Sequence, residues 1–559
     1  MVQCVVDGAH DLRAEQAVAI TGTLRLRPEG TVNRDLATGE VEVAQCRVEI
    51  LGPADPVPFS LEDRAEVDEA VRLRHRYLDL RRPRLQANLI LRHGVNSALR
   101  SAMAAQGFVE VETPLLWTPT PEGAREFAVP SRLQPGSFYV LPQSPQIAKQ
   151  LLMVSGLDRY YQIARCMRDE DLRADRQFEF TQLDMEASFV GRDDVVGFVS
   201  HAVQAAVQSA RGGMELGFPT LSWDEAMDRF GTDKPDLRIP WELVDLKKPL
   251  QTTAAKALQA PAVRGLLVPG GGSFPRARLE VLSDRAKSLG AAGLAWFKVA
   301  SPGGAGPDLE GPLSKFLSDQ ERFEVAKLSG ASGGDLLLMV AATRRVACEV
   351  LGQLRVELAR AELKQVFTKD DLAFCWIVDF PLFDGIDEAG RPLSAHHPFT
   401  MPNPHDLDML ETDPLSVRSE SYDLVCNGWE LGSGSIRIHR ADIQRRVFDV
   451  LGIPPKEAEA RFGFLLEAFR YGAPPHGGFA FGVDRLVAIL AGEDNIREVI
   501  AFPKTQSGAD LMTGAPKPLS PARLTELGLQ TRLSGKAPPM HSAGTAGSLW
   551  GGNMSGLDR

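Results

Sequence analysis

The sequence predicts an α+β protein of several domains, and three observations carry that prediction. The first is the stretch from Arg165 to Glu186, RCMRDEDLRADRQFEFTQLDME, which follows YYQIA and in which half of the residues are charged. Phe178 and Phe180 alternate there with charged groups, so it reads as two strands joined by a charged loop. The second is a helical run, roughly 85–106, that ends at Gly107 and leads into a strand-like segment. The third is length: 559 residues exceed one ordinary core, which implies about three or four domains.

Taken in order, residues 1–60 alternate short β-branched runs, AVAITGTLRL and VEVAQCRVEIL, with the turns RPEGTVN and ATGE, which predicts a small β unit. Pro53, Pro56 and Pro58 then form a linker. Residues 61–84 carry the basic run RLRHRYLDLRRPR, with Tyr77 interleaved. A lone run of this kind is most often a solvated helix face, and it also suits a local nucleic-acid patch. Residues 85–240 mix helical and strand-like text. Residues 241–369 are rich in Ala, Gly and Leu, carry the loop VPGGGSFPRAR and no cluster of catalytic residue types, and read as an inserted α/β domain. Chemistry-bearing text resumes in 370–533 with CWIVDFPLF, and 534–559 are a Gly/Ser/Ala-rich tail expected to be disordered.

Composition narrows the class. Hydrophobic residues make up 44% and charged residues 24%, and no apolar run has the length of a membrane span. The N-terminus MVQCVVDGAHDLRAE has neither the pattern of a secretory signal nor that of a transit peptide, so a cytoplasmic location is expected. Cys4, Cys46, Cys166, Cys348, Cys375 and Cys426 lie far apart without a CxxC pair, which argues against a zinc site and a disulfide framework. The net charge of −11 does not exclude a nucleic-acid partner, because binding follows local patches.

The charged segment suits a ligand carrying phosphate and an amine. Arginine forks bind phosphate or carboxylate, and carboxylates accept from amines or hold a divalent metal. Taken alone, a solvated hairpin with weak surface ion pairs is the more frequent arrangement. Two further segments change that weighing: GFVEVETPLL, from Gly107 to Leu116, and GGFAFGVDRLVAIL, where small residues precede Asp484 and Arg485 at the start of an apolar helix. With Arg168, Glu170, Arg176, Phe180 and Asp184 between them, the three resemble, in order, the signature motifs of class II aminoacyl-tRNA synthetases. Within that class the chain resembles the bacterial-type aspartyl-tRNA synthetases from about Thr21 to Leu529, through RYLDLRRPR, TPEGAREF, LPQSPQIAKQLLM, RDEDLRADRQ, HHPFT, NGWELGSGSIRIH, FGFLLEAFRYGAPPHGG and IREVIAFPKT.

The resemblance implies a class II antiparallel sheet flanked by helices, a partial OB-type anticodon-binding barrel at 1–60, and a homodimer built on the Gly107–Leu116 segment. It implies that L-aspartate attacks the α-phosphorus of ATP and that the aspartyl group then passes to the 3′ end of tRNA(Asp), with Mg²⁺ on the phosphates. Both steps gather negative charge, so positioning and electrostatic stabilisation should dominate. By the same resemblance Arg168, Glu170 and Arg485 are catalytic: Arg168 holds the α-phosphate and the aspartate carboxylate, Glu170 contacts adenine, and Arg485 clamps the γ-phosphate. Asp169, Gln177, Phe180, Glu430, Gly482, Val483 and Asp484 complete the ATP site, with Phe180 stacking under the base, and Asp423 and Glu430 are the metal ligands. Aspartate is held by Lys149 and Arg437 on its side-chain carboxylate and by Asp184, Ser144 and Gln146 on its ammonium. His396 completes that pocket, and Glu122 lies on a loop closing over it. A pocket with two cations leaves one unpaired if asparagine binds, which is ample discrimination.

Some positions depart from the family pattern. Phe178 stands where relatives carry proline, Met167 replaces an aromatic, Ser433 interrupts a glycine triplet and Ala395 precedes the histidine pair; each is expected to adjust packing only. The chain opens at VQCVVD, which resembles a mid-barrel strand, so a misplaced start or truncation is expected to leave unpaired edges. Gly30 stands where strict anticodon readers tend to have lysine, which favours an enzyme that also charges tRNA(Asn), a question the sequence leaves open. Two other classes remain: an aspartate-activating ligase that does not use tRNA, and a catalytically dead RNA-binding homologue. The basic hinge and the insert speak against the first, and Arg168, Glu170, Glu430, Arg437 and Arg485 against the second.

Overall fold

The computed structural model describes residues 2–8, 11–119, 125–300, 308–363, 367–368 and 370–531. Glu122 and the tail 534–559 lie outside the described residues.

An eight-stranded sheet positions the chemistry. Its strands run in the order Val109–Glu110, Arg159–Met167, Glu179–Ser188, His476–Gly482, Trp429–Ile436, Ser421–Cys426, Phe374–Val378 and Thr220–Ser222. The six central strands pair antiparallel, and the two short edge strands join parallel. Period-two alternation sends Leu183, Met185 and Ala187 into a core covered by helices Pro83–Ala105, Arg192–Arg211 and Val483–Ala491, through residues such as Val95, Leu99, Val199, Val203 and Leu486. The opposite face of the same strand presents Phe180, Gln182, Asp184 and Glu186. A strand apolar on one side and charged on the other is thus a wall between core and site.

Between Leu243 and Ala342 lies a second sheet of five strands, Leu243–Asp245, Ala262–Val268, Leu336–Ala342, Ala295–Ala300 and Asp308–Glu310, antiparallel throughout. Its central strand, LLLMVAA, is buried on both faces: Leu336, Leu338 and Val340 meet helices Arg276–Ser288 and Arg344–Glu362, while Leu337 and Met339 face helix Asp319–Ser329. Residues that must be apolar on both sides give a continuous hydrophobic run. In the N-terminal unit, Gln3–Cys4, Val41–Gly52 and Ala17–Leu26 form a three-stranded sheet. Almost every residue of Ala17–Leu26 is exposed, Leu24 and Leu26 among them.

The basic run from Arg72 to Arg84 differs from a solvated face. Arg76 is 2% exposed and donates to the carbonyls of Arg497, Ile500 and Ala501 and to Asp79. Arg72 bonds Asp79 and Glu498, Arg84 bonds Glu493 and Glu498, and Arg82 donates to the carbonyls of Ser60 and Ala65. Of these arginines only Arg74 and Arg81 are exposed. The run is chiefly a clamp onto residues 493–501, because buried guanidinium groups need carbonyl and carboxylate partners that this segment supplies. Among the described residues no helix is long and apolar enough to cross a membrane.

Candidate functional site

The antiparallel pair Arg159–Met167 and Glu179–Ser188 is joined by the charged loop, which closes where the Arg168 amide donates to the Phe178 carbonyl at 2.9 Å. Beside it lies a cavity of about 1070 Å³ whose lining includes Arg168, Glu170, Gln177, Phe180, Glu430 and Arg485. Gly482 and Asp484 also border it. Eight of the sequence-predicted ATP-site residues and the acidic Asp175 therefore surround one space.

Charges in this outer chamber are matched by neighbours. The Arg168 guanidinium lies 5.0 Å from the centre of the Phe180 ring, so one face of the ring expected under adenine carries a cation here. Arg176 donates to Glu170 at 2.9 Å. Arg485, near the start of helix Val483–Ala491, donates to the Glu430 carbonyl at 2.6 Å and to Asp175 at 3.2 Å. Gln177 is 4% exposed and accepts from the Lys504 amide. Two residues of the predicted ATP set are turned to structural tasks. Asp484 accepts from the Thr181 amide at 2.7 Å and is paired with Arg92, and the Val483 side chain sits in the core. The Asp169 amide donates to the Arg125 carbonyl, and Asp169 does not border the cavity.

Deeper in the sheet lies a second set of charges, fully enclosed. Lys149, 1% exposed on helix Gln146–Val154, places Nζ 3.1 Å from Asp184 Oδ1 and 3.4 Å from Glu186 Oε2. Arg437, 2% exposed, holds Glu186 with Nε at 2.9 Å and Nη2 at 3.2 Å. Its Nη1 donates to Ser435 Oγ at 2.7 Å and to His397 Nε2 at 2.8 Å. Burial opposes the charge on Glu186, but Arg437 and Lys149 outweigh it and hold the carboxyl below its usual range. For Asp184 burial wins over Lys149, and its proton affinity rises. Burial pushes His397 well below the ordinary histidine value with Arg437 adding to the effect, so the ring is neutral and free to accept from that guanidinium. Asp184 Oδ2 and Gln146 Nε2 are buried and have no partner among the described residues. An ammonium would satisfy the acceptor Asp184 Oδ2, whereas Gln146 Nε2 is a donor and calls for an acceptor such as a ligand carboxylate. Ser144 Oγ accepts from the Gln146 amide and fixes the start of that helix.

Glu186 and His397 were not among the predicted site residues. Glu186 had a signal, since it continues the Phe180, Gln182, Asp184 face at period two. Gly478 bears directly on it: a Cβ there would fall 1.7 Å from Glu186 Oε2, so a side chain and the carboxylate cannot share the space. The two adjacent histidines divide their work. His396 turns to a neighbouring chamber of about 460 Å³, whose lining includes Asp233, Asp423, Glu430 and Ser433. Burial lowers its pKa to about 4, and Nε2 has no partner among the described residues.

In that chamber Asp423 and Glu430 lie on adjacent antiparallel strands, Asp423 opposite Ser433 and Glu430 opposite Val425, with a register shift between Leu424 and Val425. Burial and the nearby Glu430 push Asp423 well above the usual carboxyl range. Burial also opposes the charge on Glu430, but Lys234, 2.7 Å away, and Arg485 keep it low. Asp423 Oδ1 is buried without a partner, and two oxygen ligands leave room for waters and phosphate oxygens, so the pair fits a magnesium ion. No group of three or more His, Cys, Asp or Glu suited to a metal occurs among the described residues. Gly30 lies far along the chain, in the turn after strand Ala17–Leu26, with φ +84° and open space around its Cβ position.

A family profile described as tRNA synthetases class II (D, K and N) matches residues 68–506. The chain is 49% identical over 538 residues to the aspartate–tRNA(Asp/Asn) ligase of Mycolicibacterium smegmatis, covering 94% of this chain and 89% of that one. It is 50% identical over 542 residues to the aspartate–tRNA(Asp/Asn) ligase of Acidothermus cellulolyticus, covering 96% and 90%. In fold it is similar to asparaginyl-tRNA synthetase of Entamoeba histolytica in complex with asparaginyl-adenylate, with a TM-score of 0.53 at 16% identity over 90% of this chain and 88% of that one.

Proposed function

The chain belongs to the class II tRNA synthetases of the D, K and N group, and from that premise we propose that it is an aspartate–tRNA ligase acting on both tRNA(Asp) and tRNA(Asn). The observation that carries the reading is the enclosed set Lys149, Asp184, Glu186 and Arg437 beside a cavity of about 1070 Å³, roomy enough for a nucleotide, rimmed by Arg168 and Arg485. Aspartate enters with its side-chain carboxylate toward Lys149 and Arg437 and its ammonium toward Asp184 and Gln146. Glu186 keeps Arg437 in place through two parallel hydrogen bonds, and His397 keeps its Nη1 end oriented. Lys149 and Arg437 already have Asp184 and Glu186 as counter-ions, so what asparagine lacks is a second acceptor. Its amide NH2 would face the N–H donors of these cations, and buried donors left unsatisfied cost about 1–3 kcal/mol.

ATP occupies the outer chamber. Arg168 leaves the Phe180 face as adenine stacks there, and moves onto the α-phosphate and the reacting carboxylate. Glu170 exchanges Arg176 for the adenine amino group, and Arg485 exchanges Asp175 for the terminal phosphate. The aspartate α-carboxylate oxygen bonds to the α-phosphorus as the bond to pyrophosphate breaks. The ribose hydroxyl of the tRNA end then attacks the acyl carbon, and AMP leaves. Asp423 and Glu430 would hold Mg²⁺, which supplies charge neutralisation on the phosphates. No side chain need act as a nucleophile, so preorganised cations do the main work.

Residues 1–60 serve as the anticodon-binding unit, 61–84 as the hinge, 85–240 and 370–533 as the two catalytic parts, and 241–369 as the insert. The Gly107–Leu116 segment, with Val109, Leu115 and Leu116 exposed, is the homodimer contact. The protein works in the cytoplasm, as expected of a tRNA ligase. Gly30 leaves the anticodon turn without a discriminating side chain, and the dual tRNA use of the named relatives supports the relaxed reading. Aminoacylation with labelled aspartate and separate tRNA(Asp) and tRNA(Asn) tests it: both should be charged. Charging of tRNA(Asp) alone would remove the relaxed reading, and pyrophosphate exchange without transfer to either would favour a ligase that does not use tRNA.

A further inference from the structure

Lys234 stands on a loop that the functional reading leaves without a task. It follows helix Trp223–Phe230, which stops at Gly231 in the left-handed region. A Cβ at Gly231 would meet the Cys348 carbonyl at 2.1 Å and Gly352 Cα at 2.7 Å, so this loop is pressed onto helix Arg344–Glu362. From that helix Arg355, completely buried, donates to the carbonyls of Asp236, Ile239 and Trp241 at 3.1, 2.8 and 2.5 Å. Asp236 in turn accepts from Arg238 at 2.7 and 2.9 Å. The backbone that presents Lys234 is thus fixed from below, while the Lys234 side chain is 42% exposed and reaches Glu430 at 2.7 Å.

We propose that Lys234 is an internal counter-ion for the Asp423–Glu430 pair, seated on Glu430 in the ligand-free protein and yielding that carboxylate to the divalent cation that arrives with ATP. The inference rests on reading Asp423 and Glu430 as the metal pair. Five acidic groups, Asp233, Glu349, Asp384, Asp423 and Glu430, line the chamber with Arg345, which is paired to Glu349 and Asp384, while Lys234 stands on the Glu430 side. Leaving Glu430 half-buried and unpaired between turnovers would be costly, and an ammonium removes that cost without occupying the enclosed Asp423 oxygen. Lysine suits exchange because it is a single-point cation on a flexible stem that can swing into water, whereas Arg485 meets Glu430 at its carbonyl and leaves the carboxylate to Lys234. The pinned loop means that only the side chain has to move. Lys234 is therefore a positioning residue that sets how readily the metal binds before nucleotide.

The test is Mn²⁺ binding to the full chain without nucleotide, read by electron paramagnetic resonance of free Mn²⁺, for wild type, K234M, K234Q, E430Q and D423N. Thermal unfolding serves as the check on folding, and K234Q stands in if K234M does not fold. With the counter-ion gone, K234M and K234Q should bind Mn²⁺ about tenfold or more tightly than wild type, and E430Q should lose the binding. Unchanged or weaker binding in both lysine variants, with E430Q still losing it, overturns the counter-ion role and leaves the metal pair standing. Binding that neither E430Q nor D423N alters overturns the metal pair and the counter-ion with it.

Discussion

The two charge clusters of this protein obey different rules. The inner one, Lys149, Asp184, Glu186 and Arg437, is at most 2% exposed, and its members hold each other with little alternative. The outer one pairs Arg176 with Glu170, Arg485 with Asp175 and Lys234 with Glu430, and every one of these six side chains is between 24% and 42% exposed. Exposed pairs are worth about 0–1 kcal/mol each, so a phosphate or adenine can replace a partner at small cost. Buried pairs cost several kcal/mol to break on the order of 3–5, so they keep their geometry and reject a ligand of the wrong charge. Selectivity for the amino acid and tolerance of a moving nucleotide therefore come from the same residue types at different depth.

The sharpest way to break this contrast is Arg437→Met, which strands Glu186 with Lys149 alone. Aspartate-dependent pyrophosphate exchange should fall by two to four decades, following from about 3–5 kcal/mol. A fall of less than tenfold in a folded variant would put the inner cluster outside amino-acid recognition. Gly478→Ala comes next: the new Cβ collides with the Glu186 carboxylate and, at 2.4 Å, with the Met185 carbonyl. Overpacking of this kind costs about 1–3 kcal/mol. The KM for aspartate should rise about tenfold or more while that for ATP changes little, and equal rises in both would show general distortion instead.

The smallest effect is on pH. Burial lowers the proton affinity of His397, with Arg437 adding to it, and of His476, where Glu186 partly opposes the shift. In the unfolded chain these rings take up protons below about pH 6.5, and in the folded protein they do so only at lower pH. Their contribution to stability is complete above that value and is lost as pH falls below it. The melting temperature should be lower at pH 5.5 than at pH 7.5, and His476→Gln should reduce the difference. An unchanged difference in that variant would remove His476 from the effect.

Much of this was legible in the sequence because the charged strand pair announces its two faces. Period-two alternation gave the wall formed by residues 179–188, and the motif order brought Arg168, Glu170, Phe180, Glu430 and Arg485 to one cavity. What stayed hidden depends on contacts distant along the chain. Glu186 gains its role only from Arg437, 251 residues on, and Asp484 is drawn to Arg92 and the Thr181 amide rather than to the cavity centre. The basic run misled for the same reason: its arginines find carbonyls at 497–501 that no local pattern reveals. His396 and His397 are neighbours in HHPFT, and only the fold sends one to Arg437 and the other to Asp423's chamber.

The most direct measurement is the charging of tRNA(Asp) by the full chain with labelled aspartate and, in parallel, labelled asparagine. The two-cation pocket predicts robust charging with aspartate and a rate with asparagine lower by about two decades or more. Comparable charging by both amino acids, or by asparagine alone, would contradict the account.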